Sequence, residues 1–149
     1  KNIERCLQTI AMTQSYYKPI DYNLDGEEDL LYWRRLLLSL SGYEQYLKSY
    51  SNISHNRKIA QHVVFNKDFS HSVMYTLELI DKYLANLSLD HTSHEARTLQ
   101  NQFGRLKSMV KYTDYYNLTN QQLEDVLNDT QSQLIQFSSD FSKLFYSYT

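Results

Sequence analysis

TNQQLEDVLNDTQSQLIQFSSDFSKLFYSY, residues 119–148, decides the fold class. Leu123, Leu127, Thr130, Leu134, Phe137, Phe141, Leu144 and Tyr148 recur at alternating steps of four and three. That spacing lays them along one side of an α-helix. Thr119-Asn120-Gln121-Gln122 has the form of a capping box, in which side chain and backbone satisfy each other's donors at a helix start. A mean step near 3.5 residues keeps one seam against a neighbour in left-handed, near-parallel packing.

The same rhythm recurs towards the start of the chain. Ala96, Leu99, Phe103, Leu106 and Val110 form a stripe, and Thr92-Ser93-His94-Glu95 before it reads as a second capping box. Val73, Leu77, Ile80, Leu84 and Leu87 form another, on a helix expected to begin near Ser70. A short helix is expected over His55–Phe65, broken by Asn66-Lys67-Asp68. Leu30, Trp33, Leu37 and Leu40 share a face of a helix that Asp25-Gly26-Glu27-Glu28 is expected to open, since acids suit the first turn. Gly42 is expected to bend or split it before Tyr43–Tyr50. Ile3, Leu7, Ile10, Gln14 and Tyr17 mark a first helix that Lys18-Pro19 ends, because Pro disfavours a helical residue before it. Lys1 is not Met and nothing caps this first stripe, so the sequence reads as a piece of a longer protein. The expected architecture is all-α, an up-and-down bundle of five to six helices in a single domain over residues 1–149.

Composition narrows the function. Three Gly and one Pro in 149 residues exclude a turn-rich β-sandwich or a collagen-like repeat. Fifteen Lys and Arg against seventeen Asp and Glu give a formal charge of −2, which argues against a nucleic-acid partner. No apolar run is long enough to span a membrane. Cys6 is alone, so no internal disulfide or thiolate-rich metal site is expected, and a reducing cytoplasm fits. The five histidines offer no Glu-x-x-His pair, so neither a metal nor any other cofactor is expected. Cys6 reads as a small packed thiol rather than a nucleophile, and Ser72 and Ser93 read as helix caps. Among the fourteen tyrosines, Tyr43, Tyr46 and Tyr50 share one helix face, while Tyr112, Tyr115 and Tyr116 cluster. These are candidates for a groove that takes a peptide or helix, against the plainer reading of packing at the bundle's edge. Arg105 flanks a core stripe and is placed to pair with an acid such as Glu4, Glu44, Glu78 or Glu124.

Several segments, taken in order, resemble the bacterial alpha-E domain family. Ile3-Glu4-Arg5-Cys6 resembles its LERA turn, and Trp33-Arg34-Arg35-Leu36-Leu37 with Ser41-Gly42-Tyr43-Glu44-Gln45-Tyr46 its W-x-x-LL and S-x-YExY segment. The run from His62 to Val73 resembles its FLLLDxxFPRSV segment. Gly104-Arg105-Leu106 and Tyr112-Thr113-Asp114 fall where the family has GRL and Y-x-D. Asn66, Ser70 and His71 depart from it, standing where the family has Asp, Pro and Arg. The resemblance implies an all-helical bacterial protein of uncharacterised activity, encoded beside ATP-grasp ligases and transglutaminase-like proteins, with this chain matching the C-terminal half.

Three readings of function follow. In the first, the chain is an accessory or interaction domain that docks an ATP-grasp partner or presents a peptide for amide-bond modification. In the second, Glu4, Arg5 and Arg105 converge with Asn66 and Ser72 in an enzymatic or small-molecule site. In the third, the long C-terminal helix makes a self-associating homo-oligomer. The candidate binding residues across these readings are Glu4, Arg5, Tyr43, Asn66, Ser72 and Arg105.

Overall fold

A computed structural model of the chain describes residues 2–41, 46, 55–88 and 93–146. Six α-helices lie among the described residues: α1 (Asn2–Tyr17), α2 (Leu30–Ser39), α3 (His55–Ala60), α4 (Val73–Ser88), α5 (His94–Lys111) and α6 (Asn120–Tyr146). No helix there is long and apolar enough to cross a membrane.

Four of them close a ring in which α1 packs on α4, α4 on α5, α5 on α6 and α6 back on α1. Each neighbouring pair runs antiparallel. Thr9 on α1 bonds the carbonyl of His71 just before α4, and Gln14 reaches Asn128 on α6 while Leu24 beyond α1 meets Asn120 at the start of α6. On the far side, Lys107 meets Asp81, and Gln102 meets Asp140. This is the up-and-down bundle that the stripes predict. The seam residues supply its centre. Val73, Leu77, Ile80 and Leu84 of α4, Leu99, Phe103, Leu106 and Val110 of α5, and Leu123, Leu127, Leu134 and Phe137 of α6 are all buried. Phe103 and Phe137 meet across α5 and α6 with ring centroids 5.1 Å apart. Burying each such side chain contributes roughly 1.5–3 kcal/mol.

First helix α1 differs from its stripe. Cys6, Thr9 and Thr13 are buried beside Ile10 and Tyr17, whereas Ile3, Leu7 and Gln14 are only half covered. α1 touches α4, α6, α2 and the residues after α3, so it buries a broader arc than a two-helix seam needs. Its threonines fit there because Thr13 donates to the carbonyl of Thr9 and Thr9 to that of His71.

Capping decides the helix starts. Thr119 and Gln122 form the reciprocal box, with Gln122 N–H donating to Thr119 Oγ1 at 3.1 Å and Thr119 N–H to Gln122 Oε1 at 2.9 Å. α5 starts one residue later than its sequence suggests, on Ser93, whose hydroxyl accepts from Ala96 N–H. The opening of α2 shifts further. Asp29, not Asp25, caps it, accepting from Tyr32 N–H.

Residues 25–28, expected to open the helix, stay in the loop before it, where Asn56 holds Glu28 and Asn23. This fully buried amide donates to the Asn23 carbonyl at 2.8 Å and to Glu28 Oε1 at 2.6 Å, and accepts from Trp33 Nε1 at 3.1 Å. Tyr17 Oη donates to the Asn56 carbonyl at 2.6 Å. A Cβ on Gly26 would lie 2.7 Å from Asn56 Nδ2, so only glycine lets the loop come this close. Asp21 and Tyr22 take left-handed backbone (φ 55° and 54°), which the stacking of Tyr22 on Tyr17 helps to hold. Trp33 lies among Tyr16, Tyr17 and Tyr32, so α2 and α3 sit as an aromatic cap on one end of α1.

Candidate functional site

The expected helix over 55–65 divides. Its last five residues, Gln61–Phe65, form a π-turn, a widened geometry that frequently accompanies functional sites. The turn buries all five side chains and delivers the chain into the loop Asn66–His71. Within it, His62 stacks on Phe69 with centroids 4.4 Å apart and lies edge-on to Tyr46. Burial pushes the imidazole down to about 4, so it is neutral at physiological pH.

The loop is organised by Asn66 and Ser72. Asn66 Oδ1 accepts from Asp68 N–H, and its amide lies 3.3 Å from His62 Nδ1. Ser72 is fully buried; its hydroxyl accepts from Tyr75 N–H at 3.0 Å, capping α4, and donates to the Asn66 carbonyl at 2.6 Å. Both hydrogen-bonding directions of Ser72 are therefore used inside the fold, and the helix-cap reading stands.

Beside this loop opens a cleft of about 580 Å³. Lys58 and Gln61 come from α3 and the π-turn, Asn66, Lys67 and Asp68 from the loop, and Met74 and Glu78 from α4. Val110 and Lys111 at the end of α5 and Tyr115 and Tyr116 of a short 3₁₀ turn (Tyr115–Asn117) complete it. Phe65 stacks on Tyr115 at 5.4 Å and Tyr115 on Tyr116 at 4.6 Å, while Gln61 Nε2 donates to the Tyr115 carbonyl and fixes the turn.

The candidate residues from the sequence are distributed unevenly about this cleft. Asn66 lines it and Ser72 touches Asn66 from behind. Glu4 and Arg5 are exposed on the first turns of α1, without an ion-pair or hydrogen-bond partner among the described residues. Arg105 is exposed on α5, which stands across the ring from α1. None of Glu4, Arg5, Arg105 and Ser72 lines this cleft. Tyr43 lies outside the described residues, as do Tyr50 and His91. The cation of α5 that pairs across the bundle is Lys107, two residues beyond Arg105, at 3.2 Å from Glu78 and 2.7 Å from Asp81. Burial lowers the Lys107 pKa, but the hydrogen bonds and charges of the two acids outweigh it and hold the ammonium above its ordinary value.

Sequence reading missed Lys58, Gln61 and Met74 altogether, since they meet only through the π-turn. Tyr115 and Tyr116 were visible as a cluster, without a sign of what they faced. Cys6 is fully buried, and burial raises its thiol to about 11, which keeps it protonated at physiological pH. Among the described residues no three of His, Cys, Asp and Glu gather closely enough to hold a metal ion.

A family model described as alpha-E, "a predicted alpha-helical domain with a conserved ER motif", matches residues 1–146, nearly the whole chain. Glu4-Arg5 is the one Glu-Arg step in the sequence. No curated protein and no solved structure matches the chain.

Proposed function

The chain belongs to the alpha-E family, and from that membership we propose that it is an accessory binding domain, a rigid helical bundle that presents Glu4 and Arg5 to a protein partner. The observation that carries this is the contrast between Cys6 and its two predecessors. Cys6 enters the core, while Glu4 and Arg5 stand in solvent with neither charge consumed by the fold. A motif that the family keeps, and that the bundle does not need for packing, fits recognition better than stability. An acid and a base one residue apart on a helix point about 100° away from each other, so they meet a surface as two separate contacts.

The partner we favour is an ATP-grasp ligase or a transglutaminase-like protein, as the family resemblance implies, with the pair acting in peptide or amide-bond modification in the cytoplasm. Titration calorimetry of the domain against such a ligase purified from the same source tests it. The wild-type domain binds. Glu4→Gln combined with Arg5→Gln weakens the complex by about tenfold or more, the loss of two charge-assisted contacts, at an unchanged melting temperature. Equal affinity of the two proteins, or no complex with either partner class, refutes the reading.

A further inference from the structure

The cleft between the π-turn and the Tyr115–Asn117 turn carries chemistry that the Glu4–Arg5 surface does not use. Its volume, about 580 Å³, lies inside the range of about 300–1,000 Å³ usual for small-molecule sites. Its charge is asymmetric. Lys58, Lys67 and Lys111 line it against Asp68 and Glu78, and Glu78 is already paired with Lys107 at 3.2 Å. Lys67 and Lys111 are exposed and make no ion pair among the described residues. Three lysines thus line one cleft of a chain whose formal charge is −2, the Lys111 ammonium lying 5.5 Å from the centre of the Tyr112 ring.

Its wall is aromatic. Phe65 stacks on Tyr115, and Tyr116 lies beside Tyr115 with its ring tilted by 33°, giving a run of three rings buried at the Phe65 end and 69% exposed at Tyr116. An aromatic run that ends on an open ring in a cleft lined by lysines offers a flat group a surface to stack on and its negative charge a partner.

We propose that this cleft binds a small organic anion carrying a flat ring, of the nucleoside monophosphate class, with the base on Tyr116 and the phosphate towards Lys67 and Lys111. The site rests on residues distinct from the Glu4–Arg5 surface, so the two proposals stand or fall separately.

Calorimetry of the whole chain at low salt tests it, with adenosine, guanosine and uridine 5′-monophosphates, their nucleosides, and inorganic phosphate as titrants. At least one nucleotide binds, and its nucleoside and phosphate alone are each weaker by about tenfold or more, since each keeps only the stacking or only the charge term. Tyr116→Ala weakens the nucleotide by about tenfold or more, whereas Tyr116→Phe keeps the ring and the affinity. Lys67→Gln with Lys111→Gln weakens binding and flattens its salt dependence. All three positions are exposed, so circular dichroism and the melting temperature stay as in the wild type. Glu4→Gln with Arg5→Gln leaves nucleotide binding intact. Absence of binding by every nucleotide at millimolar concentration overturns the proposal. So does an affinity that neither Tyr116→Ala nor the double lysine variant changes.

Discussion

Replacing Asn56 by alanine tests whether one buried amide holds residues 21–28 and α2 onto the bundle. Three side-chain hydrogen bonds disappear, those with Trp33, Asn23 and Glu28. Glu28 is half-buried and can turn to water, so its loss is small. The indole N–H of Trp33 is fully buried and loses its acceptor, whereas the Asn23 carbonyl, on an exposed residue, keeps the Gly26 N–H at 3.4 Å. The orphaned indole costs about 1–3 kcal/mol, and a small cavity adds about 1 kcal/mol, so we expect a loss of about 2–4 kcal/mol. For a domain of this size that is a fall in melting temperature of about 4–16 °C. Trp33 is the only tryptophan, so its fluorescence follows the same event, with emission altered in the folded variant and the urea midpoint moved down. Asn56→Asp keeps an acceptor for the indole but sets a second carboxylate against Glu28, where the amide now donates at 2.6 Å. It loses at least as much stability at neutral pH and regains part in acid, as protonation removes the repulsion. A change under about 3 °C for both variants refutes the view that Asn56 organises this end of the molecule.

Three further outcomes follow from single groups. Thr130 lies in the buried row between Leu127 and Leu134, and its hydroxyl has no partner among the described residues. Thr130→Val should therefore raise stability by about 1 kcal/mol, or about 2–4 °C in a thermal melt; a lower melting temperature shows the hydroxyl is satisfied. His62 is lowered in the fold from 6.5 to about 4, so as pH falls the unfolded chain takes up its proton first. Stability is unaffected above pH 6.5 and declines from there to about pH 4 at up to about 1.4 kcal/mol per pH unit. Comparison with His62→Gln isolates the term, and parallel pH profiles for the two proteins disprove it. Cys6 should resist Ellman's reagent in native buffer and react completely in urea; fast stoichiometric labelling of the folded protein contradicts its burial.

The parts legible in the sequence were those governed by local rules. The stripes of α4, α5 and α6 and the Thr119–Gln122 box depend on residues three or four apart, and Ser72 caps the helix that its place before Val73 suggested. What escaped was long-range. The start of α2 moved because an amide from α3 captures Asn23 and Glu28, which acidic spacing in 25–28 cannot reveal. α1 buries Cys6, Thr9 and Thr13 because it has neighbours on more than one side, and a single apolar stripe understates that. The cleft draws on three separated stretches of chain, 58–68, 74–78 and 110–116, the first bent by the π-turn, a departure with no composition of its own. Of the candidate site residues, Asn66 reached a concavity and Ser72 its rear wall, while Glu4, Arg5 and Arg105 went to surfaces that the sequence could name but not orient.

The ring of helices is completed by α1 against α6, the first and last elements of the described chain. During synthesis the ribosome delivers residues at roughly 5–20 per second, so α1 waits several seconds for the strand of sequence that will shield its second flank. Throughout that interval the flank of α1 that carries Gln14, which meets Asn128 in the finished fold, has no lasting cover, and the late-arriving helix acts as the latch of the whole assembly. A nascent chain stalled before Asn120 is therefore a client for chaperones, not a smaller working bundle.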